Sequence, residues 1–388
     1  MRTLKATALL IGCATAFAGH SGRAALDPPF EVTQSGFEIL RQGEFGNAGQ
    51  NLYVSAAGRI QFVHRWDLNN DGYYDLVFNN THNRMDVPDA FLYLQSAGGY
   101  SSAISPLYDS LPLYEKWRQE EISRSTLQRL AGVAPSRIAI SDLDGDGHPE
   151  VILANTTDGF SYTSTSYVYW GSAGGYHRRT DLPTHTATGV CVGDLNHDGF
   201  PDIVFSNKGR GSRSVGGYHD NLESYIYWGS ASGYSAEHRT SLPTLSAVSC
   251  TLGDLDGDGQ LDLIFANSAA EKSSLYVYWG GAEGPDPKQR TTLAIPDPRQ
   301  VRFYDAKPFG KCLYLVGAAG VTLLRNSGDR KLTRVRDIGV GAWAVAAADL
   351  DGDGSADLVL ATDSGGKVLW SGHDWDPSRP CSKRCTGG

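Results

Sequence analysis

The sequence has little of what marks a disordered or a nucleic-acid-binding chain. Charged residues make up only 20 % of its 388 residues, whereas hydrophobic residues reach 40 % and aromatic residues 10 %. A chain this apolar is not a disordered one. The formal net charge of −9 argues against a general nucleic-acid binder, which normally carries a basic excess. No nucleic-acid partner is therefore predicted.

Long apolar runs are also scarce. The run at residues 6–18 follows a short basic start and ends in Ala16-Phe17-Ala18, a typical cleavage pattern. It is too short to cross about 30 Å of hydrocarbon as a helix. We expect an export signal within residues 1–25, no transmembrane segment, and a secreted or periplasmic protein. An alternative is a lipoprotein box at residues 10–13, with a lipid anchor on Cys13.

Cysteine and methionine are few. Only two methionines occur, and removal of the export signal would leave five cysteines, namely Cys191, Cys250, Cys312, Cys381 and Cys385. Their spacing does not fit a zinc site, and an odd number precludes complete intramolecular pairing. The last two could close a local disulfide in an oxidising compartment. We interpret Cys191 and Cys250 as small buried hydrophobic residues in strands.

Glycine is abundant, with 46 residues, and a nine-residue acidic pattern recurs five times. The pattern has Asp at position 1, Asp or Asn at position 3, Asp at position 5, Gly at position 6 and Asp or Glu at position 9. The five copies span residues 67–75, 142–150, 194–202, 254–262 and 349–357. Such self-similarity is the signature of a repeat architecture.

The residues around each acidic loop repeat as well. An apolar run such as Val151-Ile152-Leu153 follows the loop, and an aromatic segment such as 167–170 comes next. Two copies add a fourth element, at 179–184 and 239–244. Short runs of this kind, bounded by Gly and Asn, are typical of strands. Each unit is therefore predicted to contain four strands, with the acidic loop joining the first two.

The spacing of the loops predicts the number of units. Successive loops start 75, 52, 60 and 95 residues apart. The longest gap predicts a degenerate unit near Asp305 without an acidic loop, and the gap of 75 predicts an insertion with a short amphipathic helix at 111–130. Strands within 30–57 are expected to complete a last unit with C-terminal strands. The fold class is all-β: a seven-bladed β-propeller over residues 26–376, with six blades as the alternative and a short tail at 377–388.

The loops and their flanks resemble FG-GAP repeats of integrin α-subunit propellers and VCBS-type repeats of bacterial proteins, and integrin-like lectin propellers are similar too. The resemblance implies seven blades with calcium between the first two strands of a blade. The degenerate unit near Asp305 departs from this pattern, so no ion is predicted there.

The residue types also point to calcium. Side-chain oxygens at positions 1, 3 and 5, a carbonyl at position 7 and a carboxylate at position 9 suit Ca²⁺, which takes 6–8 oxygen ligands. Position 12 is apolar in every copy, which excludes an EF-hand. About five ions are predicted, one per loop. The predicted metal residues are Asp67, Asn69, Asp71, Tyr73, Asp75, Asp142, Asp144, Asp146, His148, Glu150, Asp194, Asn196, Asp198, Phe200, Asp202, Asp254, Asp256, Asp258, Gln260, Asp262, Asp349, Asp351, Asp353, Ser355 and Asp357.

The sequence contains none of the common catalytic motifs, G-x-S-x-G and H-E-x-x-H included. We therefore expect a non-catalytic binding module, lectin-like or adhesive, with an extracellular glycan or protein ligand. The alternatives are an extracellular lyase or hydrolase acting on polysaccharide, and an assembly scaffold. Trp170, Trp228 and Trp279 recur at one position, which indicates either packing between blades or stacking on sugar rings near Asn207 and Asn267. The oligomeric state stays open.

Overall fold

The computed structural model describes residues 52–54, 60–70, 72, 75–79, 90–96, 99–100, 127–156, 163–209, 223–269, 272–317, 319–349, 353–363 and 365–371. The predicted export signal, Cys13, the C-terminal tail and the cysteines at 381 and 385 lie outside these residues. Most of the predicted insertion at 111–130 lies outside them too.

The described residues form antiparallel β-sheets that follow one another along the chain. The first contains β1 (Leu52–Val54), β2 (Ile60–Trp66), β3 (Asp75–Phe78), β4 (Ala90–Tyr93) and β7 (Leu127–Leu130), and a small hairpin pairs β5 (Gln95–Ser96) with β6 (Gly99–Tyr100). The second contains β8 (Pro135–Ser141), β9 (Glu150–Asn155), β10 (Ser164–Trp170) and β11 (Arg178–Thr184). The third contains β12 (Ala187–Gly193), β13 (Asp202–Asn207), β14 (Glu223–Tyr227) and β15 (Arg239–Pro243).

Three further sheets continue the series. The fourth contains β16 (Ala247–Gly253), β17 (Asp262–Asn267), β18 (Ser274–Tyr278) and β19 (Thr291–Ala294). The fifth contains β20 (Pro298–Ala306), β21 (Gly310–Gly317), β22 (Gly320–Asn326) and β23 (Leu332–Ile338). The sixth contains β24 (Ala344–Ala348), β25 (Asp357–Thr362) and β26 (Gly365–Leu369).

The second strand of each repeat is buried on both faces. In β9, Val151 and Leu153 pack in the core shared with the first sheet, whereas Ile152 and Ala154 pack in the core shared with the third sheet. Successive side chains of a strand point to opposite faces, so a continuous apolar run is what a strand between two cores requires. Five such cores join the six sheets in chain order.

The first strands of the repeats lie next to one another. β2 contacts β8, β8 contacts β12, β12 contacts β16, β16 contacts β20, and β20 contacts β24. Four-stranded sheets stacked face to face, with their first strands adjacent, are the blades of a β-propeller. The predicted all-β propeller class is therefore confirmed, while the total number of blades stays a prediction.

The degenerate unit near Asp305 is the fifth sheet. β20 contains Asp305 and runs directly into β21 through a short turn at 307–309, where other units have an acidic loop. Its strands β21 and β22 include the apolar segments that the sequence predicted at 313–317 and 321–324.

Two local expectations are wrong at the few residues where the structure describes them. β1 pairs with β2 in the first sheet rather than with C-terminal strands, because five residues between them suffice for a local antiparallel connection. Residues 127–130 form a strand rather than the end of a helix, since they pair with the free edge of β4 and complete the first sheet. Tertiary pairing overrides helical composition here. Among the described residues, no helix is both long enough and apolar enough to span a bilayer.

Candidate metal-binding loops

The acidic loops occupy equivalent places in the fold. Each joins the first strand of a sheet to the second, and position 9 is the first residue of the second strand. The loops at 142–150, 194–202 and 254–262 join β8 to β9, β12 to β13 and β16 to β17. The loops of neighbouring sheets touch: Asn70 donates to the carbonyl of Gly147 at 2.8 Å. The repeats therefore place their carboxylates along one end of the sheets.

The predicted bend at position 6 is present in all five loops. Gly72, Gly147, Gly199, Gly259 and Gly354 all have φ between 85° and 90°. This left-handed conformation costs glycine no steric penalty. Each of these amides donates to the carboxylate at position 1, at 2.9 to 3.3 Å. Position 1 therefore holds the loop curled.

The residue at position 4 was not singled out by the sequence pattern, yet it is also left-handed. It is Asn70, Gly145, His197 and Gly257 in the first four loops, with φ between 56° and 83°. Asn and Gly are residues that tolerate this conformation. Two left-handed residues in close succession give these loops their tight curl.

The position 9 carboxylates are fully buried, and those of the second, third and fourth sheets are held by backbone amides from two directions. Asp202 accepts from Leu195 at position 2 and from Gly229, which follows the third strand, both at 2.8 Å. Glu150 accepts from Leu143 at 2.6 Å and from Gly171 at 3.2 Å. Asp262 repeats the arrangement with Leu255 and Gly280. In the last repeat, Asp357 accepts from Ser371 at 2.7 Å.

The sequence pattern does not single out the glycine whose amide donates to the position 9 carboxylate, although a Trp-Gly pair recurs at the end of the third strand. A Cβ added at Gly229 would lie 2.4 Å from the carbonyl oxygen of Pro201, and one at Gly280 would lie 2.7 Å from that of Leu261. Only a residue without a side chain fits against the loop at this distance. In the second, third and fourth sheets, the end of the third strand therefore anchors the acidic loop.

Burial changes the acidity of the bridging carboxyls. It raises the pKa of Glu150 to about 7 and the pKa values of Asp202 and Asp262 to about 6. The amide hydrogen bonds act in the opposite direction, and the other carboxylates of each loop raise these pKa values further. A nearby cation would stabilise the charged carboxylates against both desolvation and mutual repulsion.

Two loops bring three carboxylates close enough to share one ion. One oxygen from each of Asp142, Asp144 and Asp146 lies within 4.8 Å of the others, and the same holds for Asp254, Asp256 and Asp262. The donor set consists of hard oxygen atoms, which suit Ca²⁺ or Mg²⁺ rather than a soft metal. The residues present therefore fit a divalent cation of this class.

Basic side chains from the fifth sheet reach the loop at 254–262. Lys311 donates to Asp254 at 2.8 Å, and Arg330 contacts Asp256 at 2.9 Å and Asp258 at 3.3 Å. Burial alone would raise the pKa of Asp254, but the hydrogen bonds from Lys311 and from Gly257 lower it below its usual value. The sheet without an acidic loop thus supplies positive charge to the loop of its neighbour.

The remaining predicted metal residues divide into two groups. Asp71, Tyr73 and Asp351 lie outside the described residues. Elsewhere, the position 5 carboxylate accepts the amide of position 7, in the pairs Asp146–His148, Asp198–Phe200, Asp258–Gln260 and Asp353–Ser355. Phe200, at position 7, is 36 % exposed and has a hydrocarbon side chain. Only its backbone carbonyl oxygen could therefore bind a metal ion.

The recurring tryptophans lie between the blades. Trp170 and Trp279 are buried and Trp228 is half-buried, and each indole nitrogen donates to a threonine on the fourth strand of its sheet, at 2.9 Å. Asn207 is fully buried, accepts from His185 and donates to Glu223. Asn267 is equally buried and accepts from Leu245. The geometry favours packing between blades over sugar stacking for these residues.

Residues 142–205, which contain the second and third acidic loops, match the model of the FG-GAP-like repeat family. This segment is FG-GAP-like. The other three acidic loops share the glycine conformation and the position 1 hydrogen bond of the matched segment. A search of curated protein sequences finds no match.

Several solved structures resemble this chain. A lectin from Agrocybe aegerita that recognises non-reducing terminal N-acetylglucosamine is 15 % identical, with 82 % of this chain and 83 % of the lectin covered and a TM-score of 0.44. Virginiamycin B lyase from Staphylococcus aureus is 11 % identical, with 82 % and 92 % covered and a TM-score of 0.40. BBS1N from its complex with ARL6DN is 13 % identical, with 78 % and 89 % covered and a TM-score of 0.38. Similarity at this level says nothing about a ligand.

Proposed function

We propose that the acidic loops bind Ca²⁺, about one ion per loop, and that these ions hold the blades in their folded form. The observation that carries the proposal is the close approach of the three carboxylates of Asp142, Asp144 and Asp146. Carboxylates at this separation repel one another strongly unless a cation lies among them. The five loops also hold 18 of the 43 acidic residues of the chain.

A structural role follows from where the loops lie. Glu150 starts β9, accepts an amide from Leu143 in the loop and accepts another from Gly171 after β10. An ion that holds the loop in place therefore also holds β8, β9 and β10 in place relative to one another. Because an ion of this kind binds only the folded chain, its binding free energy adds to the free energy of unfolding.

Thermal unfolding with and without chelator tests the calcium proposal. We expect EGTA to lower the Tm, and calcium, but not the same concentration of potassium, to restore it. Asp144→Asn should reduce the calcium-dependent rise, whereas Asp286→Asn, which removes an equal charge from an exposed turn, should leave it unchanged. An unchanged Tm in EGTA would contradict the proposal.

We also propose that the protein is exported and acts as a non-catalytic binding module for an extracellular glycan or protein. Repeated blades offer several similar surfaces, and several weak contacts gain by avidity. Trp343 is one exposed aromatic residue of the described chain, with 40 % of its side chain in contact with solvent. It precedes β24, so it lies at the end of the blade opposite to the acidic loop that follows this strand.

The surroundings of Trp343 suit a sugar. Its indole nitrogen donates to Asp363 at 2.5 Å, and the guanidinium of Arg299 lies 3.9 Å from the centre of its ring. Arg299 also donates to the carbonyl of Ala342. A sugar needs a flat apolar surface for its C–H face and polar groups for its hydroxyls. Trp343 provides the ring face that Arg299 does not cover, and Arg299 and Asp363 provide the polar groups, whereas the tryptophans between blades are buried or half-buried.

A glycan array, probed with calcium and again with EGTA, tests this second proposal. We expect calcium-dependent binding that Trp343→Ala abolishes. Phe200→Ala is the aromatic control, because it removes a comparably exposed ring from the opposite end of a blade and keeps the backbone carbonyl that could bind calcium. Binding that survives Trp343→Ala would show that the glycan site does not include Trp343. Breakdown of a bound polysaccharide would show that the protein is an enzyme rather than a non-catalytic binding module.

A further inference from the structure

Two cysteines of neighbouring blades meet in the structure. Cys191 lies on β12 and Cys250 on β16, the first strands of the third and fourth sheets. Their Sγ atoms are 3.0 Å apart although 59 residues separate them in sequence. Cys250 is buried, and Cys191 packs against the core that contains it. Two sulfur atoms at this distance are closer than an ordinary contact between side chains.

A glycine lies beside the point where these two strands meet. Gly189 is two residues before Cys191 on β12, and a Cβ added there would be 2.2 Å from the Oγ of Ser206 on β13 and 3.2 Å from both the amide nitrogen of Cys250 and the Cα of Ser249. The backbone of β16 therefore lies close to β12 at the cysteine pair, and a larger residue at 189 would press on β13 and β16.

The third described cysteine behaves differently. Cys312 is buried on β21, and its thiol faces the carbonyl of Phe309 at 3.6 Å. Within the described part of the chain, the only cysteine sulfurs that meet are those of Cys191 and Cys250. Pairing of these two, together with a local pair at Cys381 and Cys385, would account for four of the five cysteines and leave a buried one.

We propose that Cys191 and Cys250 form a disulfide that links the third and fourth blades when the chain meets a disulfide oxidant. An S–S bond is about 2.05 Å long, so the sulfur atoms need to move by only about 1 Å. The inference does not depend on calcium binding or on the glycan proposal.

The reaction balances as thiol–disulfide exchange with a small disulfide. One protein thiol loses its proton and attacks the small disulfide. This attack releases one small thiolate and leaves the protein sulfur in a mixed disulfide with the other half of the small molecule. The second protein thiol loses its proton, attacks the protein sulfur of the mixed disulfide and releases the second small thiolate. The two protein thiols are oxidised, the small disulfide is reduced to two thiols, and the two protons pass to the released thiolates.

Burial affects when this bond forms. It raises the pKa of the Cys191 thiol well above its usual value, so the folded chain holds little thiolate. Exchange is therefore expected during folding rather than after it. Once formed, the bond closes a long loop and restricts the unfolded chain.

Peptide mapping without reductant tests the proposal. The full chain is refolded with oxidised glutathione, unfolded in denaturant with N-ethylmaleimide, digested and analysed by mass spectrometry. We expect one crosslinked peptide joining Cys191 to Cys250 and a fully alkylated Cys312. Alkylation of both Cys191 and Cys250, or their pairing with any other cysteine, would overturn the proposal.

Variants give a second measurement. Reductant should lower the Tm of the oxidised wild type and of Cys312→Ser by several degrees. The same treatment should have no effect on Cys191→Ser or on Cys250→Ser, both of which keep the tail cysteines. A reductant-dependent shift that persists in Cys191→Ser would assign the effect to another pair and contradict the link between blades.

Discussion

The amide of Gly229 donates a hydrogen bond of 2.8 Å to the carboxylate of Asp202, across 27 residues of sequence. The other oxygen of the same carboxylate accepts from Leu195. One buried side chain therefore joins the acidic loop, the start of β13 and the end of β14. The same bridge recurs at Glu150 and Asp262, which makes it a property of the repeat rather than of one blade.

Gly229→Ala should destabilise the protein. The added methyl group would lie 2.4 Å from the carbonyl oxygen of Pro201, so the loop must move away from the third strand. Overpacking of this kind costs about 1–3 kcal/mol. Gly174→Ala is the control, because its nearest neighbours lie 3.8 Å away. Urea unfolding measures both variants, and equal stabilities would show that the contact is not needed.

Asp202 should make the chelated protein less stable as the pH rises. Burial raises its pKa to about 6 from an ordinary value of 3.8, so the folded state binds the proton more tightly than the unfolded state does. The contribution of protonated Asp202 to the free energy of unfolding is complete below about pH 4 and is lost as the pH rises through about 6.

The measurement is the free energy of unfolding in EGTA between pH 4 and pH 7, compared with that of Asp202→Asn. We expect the wild type to lose stability relative to the variant across this range. Saturating calcium should reduce the loss, because the ion stabilises the charged carboxylate. A difference between the two proteins that stays constant with pH would contradict the assignment.

Removal of Lys311 and Arg330 charges should tighten calcium binding at the loop of residues 254–262. The two side chains form ion pairs with Asp254, Asp256 and Asp258. An incoming calcium ion either displaces them or is repelled by their positive charge, and both effects weaken binding. We expect the double variant Lys311→Met, Arg330→Gln to bind one ion about 10-fold more tightly, which corresponds to about 1.4 kcal/mol.

Isothermal titration with calcium resolves this change as a shift in one class of sites. Lys288→Gln is the control for net charge, with one charge removed against two in the double variant, because Lys288 is an exposed residue of the same sheet in the connection between β18 and β19. An equal effect of Lys288→Gln would mean that the whole charge of the protein, and not the local ion pairs, sets the affinity.

Trp279→Ala should destabilise the protein far more than Trp343→Ala. Trp279 is buried between two blades and donates to Thr291, so its truncation should cost about 3–5 kcal/mol. Trp343 is 40 % exposed and its truncation should cost less than about 1 kcal/mol. Chemical unfolding of the two variants checks the difference, and a small cost for Trp279→Ala would reopen its role in ligand binding.

The strands and the repeat could be predicted because their signals are local. A run such as Ile203-Val204-Phe205 between Asp202 and Asn207 is buried on both faces, and its composition already indicates this. The glycine at position 6 likewise predicts the left-handed bend that Gly199 adopts.

The contacts between blades could not be predicted because they join residues that are far apart in sequence. Nothing near Lys311 indicates that it reaches Asp254, and nothing near Cys191 indicates that it meets Cys250. The strand at 127–130 was missed for a related reason, since its conformation depends on the edge of β4 rather than on its own residues.

The number of calcium ions bound to the purified protein tests the central claim most directly. The chain is equilibrated with calcium, separated from free ions by gel filtration and analysed for metal by atomic emission, and its Tm is recorded before and after EGTA. The account predicts about five ions per chain and a lower Tm once they are removed. A chain that carries no calcium and unfolds at the same temperature in EGTA would contradict it.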